Sequence, residues 1–70
     1  MWNLEGQRVT GMYLNLFPVG GLVTESRVKY GGQVQHTVQL NQPIEVFGSR
    51  KTVVLLDQSE VQSVVDTETV

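Results

Sequence analysis

Twenty of the 70 residues are branched at Cβ (13 Val, six Thr and one Ile), and the chain contains no alanine. Branching at Cβ stiffens χ1, lowers helix propensity and suits packing on a pleated surface. A chain so rich in these residues and so poor in helix formers is expected to be all-β. Seven glycines and two prolines fall at short intervals along it, as short strands joined by tight turns require.

A chain of 70 residues is one small domain, and on folding it buries only about 60% of its unfolded surface. With no cysteine and a single histidine, a disulfide staple, a thiolate zinc site and a multi-histidine metal site are outside its chemistry. We therefore expect no metal and no cofactor. The net charge of −2 and isoelectric point near 5.1 argue against a generic polyanion binder, which carries a basic excess. No stretch approaches the roughly 18 apolar residues that span a bilayer, and the N-terminus lacks the charged and apolar regions of a secretory signal. The expected protein is soluble and cytoplasmic, with no membrane role.

The organisation read from the sequence is a lead-in segment at 1–6, a folded domain at 7–65 and a frayed tail at 66–70. The first strand is expected over Gln7–Leu14, with Gly11 marking a bulge or a close backbone approach. Leu16–Gly21 reads as an irregular loop. Leu22–Tyr30 and Val34–Leu40 form a hairpin through Gly31-Gly32. A two-residue loop would set Arg27 and Glu25 beside the apolar face of the third strand. A three-residue loop opposes Tyr30 to Val34 and Val28 to His36, and also Arg27 to Thr37. Because a one-residue slip moves every side chain to the other face, the three-residue loop is preferred. Thr24, Ser26, Val28 and Tyr30 then share one face, with Val23, Glu25, Arg27 and Lys29 on the other.

Asn41-Gln42-Pro43 interrupts the third strand, and Ile44–Phe47 continues it as a bent segment. After a turn at Gly48-Ser49, Arg50–Leu56 is a further strand, apolar on both faces at Val53–Leu56. Asp57–Val61 reads as one helical turn, with Asp57 and Glu60 spaced as in a capping box. Gln62–Val65 is the last strand.

Five short strands, a long second hairpin and a one-turn helix before the last strand resemble the SH3-like small barrels. That group includes Tudor, KOW and plasmid-borne dihydrofolate reductase types. The resemblance covers Gln7 to Val65 and implies a small five-stranded barrel. The ligand signature of signalling SH3 domains (an acidic loop, a Trp-rich groove and an Ala-Leu-Tyr-Asp-Tyr run) is absent. In style the chain also resembles short proteins encoded by bacteriophages and mobile elements, which implies a viral or accessory role. A fold of this kind hosts many functions and supplies none by itself.

Three residue groups could carry function. Arg27, Lys29, Gln35, Thr37 and Gln39 make a polar hairpin face, with Tyr30 at its end and the basic pair Arg50-Lys51 nearby in the sequence of strands. These eight residues are the expected interaction surface. Trp2, Phe17 and Phe47 are the expected self-association residues wherever they are not absorbed by the core. His36 falls on the apolar side of its strand and is expected to be a hydrogen-bonded core histidine. No nucleophile elbow, paired carboxylates or phosphate-binding glycine pattern is present, so Gly20-Gly21 and Gly31-Gly32 are expected to serve as turns.

The first expectation for function is a non-enzymatic protein-interaction module that binds another protein and can self-associate into a homo-oligomer. The second is a weak nucleic-acid-binding accessory protein in which Arg27, Lys29, Arg50 and Lys51 meet phosphates and Tyr30 stacks on a base. The third is an enzyme whose site forms only at an oligomer centre, as in the plasmid-borne reductases, with His36 and Tyr30 contributing.

Overall fold

Five antiparallel strands in one sheet make up a computed structural model of the protein, which describes residues 3–65. In chain order they are β1 (Arg8–Tyr13), β2 (Phe17–Val28), β3 (Val34–Val46), β4 (Ser49–Asp57) and β5 (Val61–Val65), with a 3-10 turn, η1, at Gln58–Glu60 before β5. The spatial order is β4-β3-β2-β1-β5. The fold is all-β, as the excess of β-branched residues requires. The sheet bends so that β4 at one edge packs against β1 near the other, but no ladder joins β4 to β5 and the sheet is not closed.

The core lies inside this bend. Val9, Val19, Val23, Val38, Val54 and Leu56 form one buried cluster, drawn from the four longest strands, and Leu4, Tyr13, Phe17, Leu40, Ile44 and Val61 pack around it. Three irregularities in the ladders shape the bend. On β2 one extra residue, Thr24, intervenes between the Val23↔Val38 and Glu25↔Thr37 pairs. This bulge changes which residues face inward: Val19, Gly21 and Val23 are buried before it, and Ser26 is buried after it. The strict alternation that placed Thr24 inward and Val23 outward is thereby corrected, because a bulge resets the two-residue period.

The second irregularity lies on β3. Leu40–Pro43 stand opposite Thr52 alone, between the Gln39↔Val53 and Ile44↔Lys51 pairs. Pro43 has no N–H to give a ladder, so a break in pairing is where it fits. The bent continuation read from Asn41-Gln42-Pro43 is present, and Val34–Val46 is one strand of 13 residues. The third irregularity shifts β1 against β5 between Thr10 and Gly11. A Cβ built on Gly11 would collide with the carbonyl oxygen of Glu60, so the close approach expected at this glycine is realised.

Phe17–Gly21, expected as an irregular loop, is instead the first part of β2, paired with β1 from Tyr13↔Phe17 to Val9↔Gly21. Pro18 sits here opposite Met12. Gly21 passes so close to the backbone of Gln39 and Leu40 that no side chain fits. Its role is close strand approach, not a turn.

The β2–β3 hairpin keeps a three-residue loop, but the loop is Tyr30-Gly31-Gly32. Lys29 N–H donates to the Gln33 carbonyl at 2.6 Å, and Gly32 N–H to the Lys29 carbonyl at 2.9 Å. Gly31 and Gly32 have φ of +100° and +89°, values that glycine adopts without cost. The register is therefore Val28↔Val34, Arg27↔Gln35 and Ser26↔His36, two residues from the expected Val28↔His36 and Arg27↔Thr37. A slip of two preserves faces, so Ser26 and His36 still point inward. At η1 the expected capping box between Asp57 and Glu60 is present, with Glu60 Oε1 accepting the Asp57 N–H at 2.8 Å, and the turn is 3-10 and not α. The lead-in is fastened to β2: Gly6 N–H donates to the Val23 carbonyl and Val23 N–H to the Gln7 carbonyl. The expected fraying at 66–70 and any role of Trp2 lie outside the described residues.

Candidate functional site

The hairpin tips divide between the two ends of the sheet. The β1–β2 and β3–β4 turns share one end, where the Phe17 and Phe47 rings meet edge to face, with centroids 6.0 Å apart and planes at 85°. This end is apolar and exposed. Leu14 is 45%, Leu16 64% and Phe47 80% exposed.

The backbone beneath these side chains is unusual. Phe47-Gly48 is a two-residue turn between the paired Val46 and Ser49, with φ of +50° at Phe47 and +83° at Gly48. Two positive φ values in a two-residue hairpin define a type I′ turn, whose first position is normally Asn, Asp or Gly. Leu14 and Asn15 also have φ of +55° and +58°, and Leu16 N–H closes the turn onto the Tyr13 carbonyl at 3.0 Å. A bulky residue at positive φ carries a strain of order 1 kcal/mol. At Phe47 and Leu14 that strain holds an apolar side chain toward solvent, so stability does not explain the choice of residue.

The polar face expected to bind ligands is distributed differently. Arg27 and Glu25 are paired at 3.6 Å, both well exposed, and Lys29 meets Asp57 at 3.4 Å. Gln35, Thr37 and Gln39 lie in the ladder between β2 and β4, opposite Asp57, Leu55 and Val53. Tyr30 stands fully exposed at the β2–β3 tip. Arg50 and Lys51 pair with Glu45 and Ile44, beyond the β3 break. Arg50 and Asp57 lie seven positions apart, up to roughly 23 Å of strand at ~3.3 Å per residue. The four cations expected to act together are thus split between the two ends of β4, and two of them face carboxylates.

His36 is completely buried and belongs to a chain of hydrogen bonds. Its Nε2 lies 2.7 Å from Gln58 Oε1, an atom that can only accept, so Nε2 carries the proton. Nδ1 then accepts the Ser26 hydroxyl at 2.8 Å, and Ser26 Oγ accepts the Leu4 N–H at 3.0 Å. Ser26 N–H in turn donates to Glu5 Oε2 at 3.0 Å. The chain ties the lead-in, β2, β3 and η1 together, and no side-chain polar atom is left buried without a partner among the described residues. His36 is the core histidine expected.

A groove of about 520 Å³ runs between the start of β2 and the β3 break, past Thr10, Pro18, Leu40, Asn41, Ile44 and Gln62. Among the described residues no titratable side chain lines it. Among the described residues no three His, Cys, Asp or Glu side chains are placed to hold a metal ion. No helix among them is long and apolar enough to cross a membrane.

The geometry defines a small all-β domain with an exposed apolar end. Comparison with family models, with curated proteins and with solved structures finds no match. Of the expected self-association residues, Phe17 is half-buried against the core and Phe47 is exposed beside it. Leu14 and Leu16 were not singled out from the sequence. Their signal lies in Leu14-Asn15-Leu16, two leucines flanking a residue that tolerates positive φ.

Proposed function

We propose that the chain is a non-enzymatic protein-interaction module that offers its Leu14, Leu16 and Phe47 end to an apolar pocket on a partner protein. The observation carrying this reading is Phe47, 80% exposed on left-handed backbone. An aromatic that costs the free chain strain and stays wet is well suited to bury itself in a partner, where aromatic anchors dominate binding. Exposed apolar side chains at one end of a sheet, beside the Phe17–Phe47 ring pair, suit an interaction site.

The test is site-specific photocrosslinking in cells of the natural source, with benzoylphenylalanine at position 47, at 16, and at exposed Ser59 on η1 as control. Discrete adducts with the same protein from 47 and 16, absent from 59, are expected. The variant Phe47→Asn places the residue preferred by the turn at that position. Relief of about 1 kcal/mol of strain offsets the lost ring pair, also about 1 kcal/mol. F47N should therefore keep its stability to within about 1 kcal/mol while losing the partner. Adducts from 47 no different from those at 59, or full partner binding by F47N, would overturn the reading.

A further inference from the structure

Among the described residues nothing covers the two strands at which the sheet ends, β4 and β5. Along the order β4-β3-β2-β1-β5 every neighbouring pair is antiparallel, so the two edge strands run in the same sense. A ladder between them within one chain would be parallel, and a parallel pair needs a crossover of a dozen or more residues. Only the three residues of η1 join β4 to β5. Topology therefore leaves both edges open, and an open edge is a template for another strand.

The side chains at the two edges match. On β5, Val64 pairs with buried Val9 and so faces the core side, yet it is 47% exposed, and Val65 faces outward at 46%. On β4, Val54 and Leu56 face the core, while Val53 and Leu55 face outward at 48% each. Neither strand contains Pro or Gly. Setting Val64 of one copy against Val54 of another, antiparallel, also sets Val65 against Val53. Core positions then meet core positions and outer meet outer, which a one-residue slip would destroy.

The charges agree with this sense of pairing. Arg50 and Lys51 occupy the start of β4, with no ion-pair partner among the described residues. An antiparallel arrangement directs the end of β5 at Val65 toward the start of β4, and the sequence after Val65 carries the acidic residues Asp66 and Glu68. Opposite charges across strands favour the register, and like charges oppose it.

We infer that β4 of one copy pairs antiparallel with β5 of a second copy, head to tail, through Val53-Val54 and Val64-Val65. The surface is separate from the hairpin end assigned above and does not depend on it. Because each copy offers two different edges, the contact is heterologous and propagates until a ring closes or a filament grows.

The experiment is sedimentation velocity on the full chain and on two variants, Val53→Lys and Val65→Lys, with dispersed amide NMR spectra establishing that each variant is folded. The unaltered chain should sediment as an oligomer larger than a dimer. Each variant alone should be a monomer, because one edge of every contact carries a repulsive lysine. An equimolar mixture should give a one-to-one dimer and nothing larger, since V53K retains a good β5 and V65K a good β4. The charge swap R50E/K51E should weaken assembly at least tenfold, and D66K/E68K in the same chain should restore it. A monomeric unaltered chain would overturn the proposal. So would self-association of V65K alone, which would mean β4 pairs with β4, or of V53K alone, which would mean β5 pairs with β5. A mixture that stays monomeric would overturn it equally.

Discussion

Replacing His36 with leucine tests the buried hydrogen-bond chain, because the side chain is near in size and removes both ring nitrogens. The Ser26 hydroxyl then has no acceptor in a site where His36 is fully buried and Ser26 itself 8% exposed. A buried donor left unpaired costs about 1–3 kcal/mol. Gln58 is exposed, so its carbonyl oxygen returns to water and loses about 1 kcal/mol of net bonding. Burying a leucine in place of an imidazole returns on the order of 1–2 kcal/mol. The net loss is about 0–3 kcal/mol, centred near 1.5. For 70 residues the whole stability is roughly 4–10 kcal/mol at ~0.05–0.15 kcal/mol per residue, so the change is readily measured by urea unfolding.

The sharper quantity is the coupling. In the unaltered chain, Ser26→Ala orphans Nδ1 of His36 and frees the half-buried Leu4 N–H, which had donated to Ser26 Oγ. In the H36L background the same change removes an orphaned hydroxyl and costs less, by about 1–2 kcal/mol, since deleting both partners of a bond is far cheaper than deleting one. Single and double variants measured at constant m-value give this number directly. Costs that add to within about 0.3–0.5 kcal/mol would show that Ser26 and His36 do not act as a unit and would refute the hydrogen bond between them.

The two close-approach glycines should be among the least replaceable positions. Gly11→Ala and Gly21→Ala each force a Cβ onto backbone atoms of Glu60 or of Gln39 and Leu40, where no flexible side-chain end can yield. A loss above about 2 kcal/mol is expected by thermal or urea unfolding, and a variant within about 0.5 kcal/mol of the parent would contradict the packing described. Titration of labelled protein with short single-stranded DNA and RNA should leave the amides of residues 25–39 unmoved. Arg27 and Lys29 already face carboxylates at 3.6 and 3.4 Å, and a salt-dependent shift confined to that hairpin would show that its cations are free to meet phosphates.

Local chemistry accounts for what was legible in advance. The all-β class follows from the β-branched excess. The loop length at Gly31-Gly32, the bend at Pro43 and the role of Gly11 follow from the special conformations of glycine and proline. Glu60 reaches back to the Asp57 N–H as its three-residue spacing foretells. The inward position of His36 followed from alternation along Val34, His36 and Val38, a run without a bulge. The candidate site was half visible: Phe17 and Phe47 stood out as aromatics, but nothing local distinguishes the one that packs from the one that stays wet.

The sequence alone determined the element types and most of the turns, because these depend on φ preferences and Cβ branching within a few residues. Only the tertiary structure decided that Phe17–Gly21 is strand, since its partner is β1 and the space for Gly21 is set by Gln39 and Leu40 on β3. It also decided that Val23 and not Thr24 faces the core, because a bulge is fixed by the strand opposite and leaves no periodic trace. The separation of Arg50-Lys51 from Arg27 and Lys29, and the exposure of Phe47 on left-handed backbone, are of the same kind. Each depends on how distant segments pair, and pairing across a sheet is a property of two strands that neither one's sequence states.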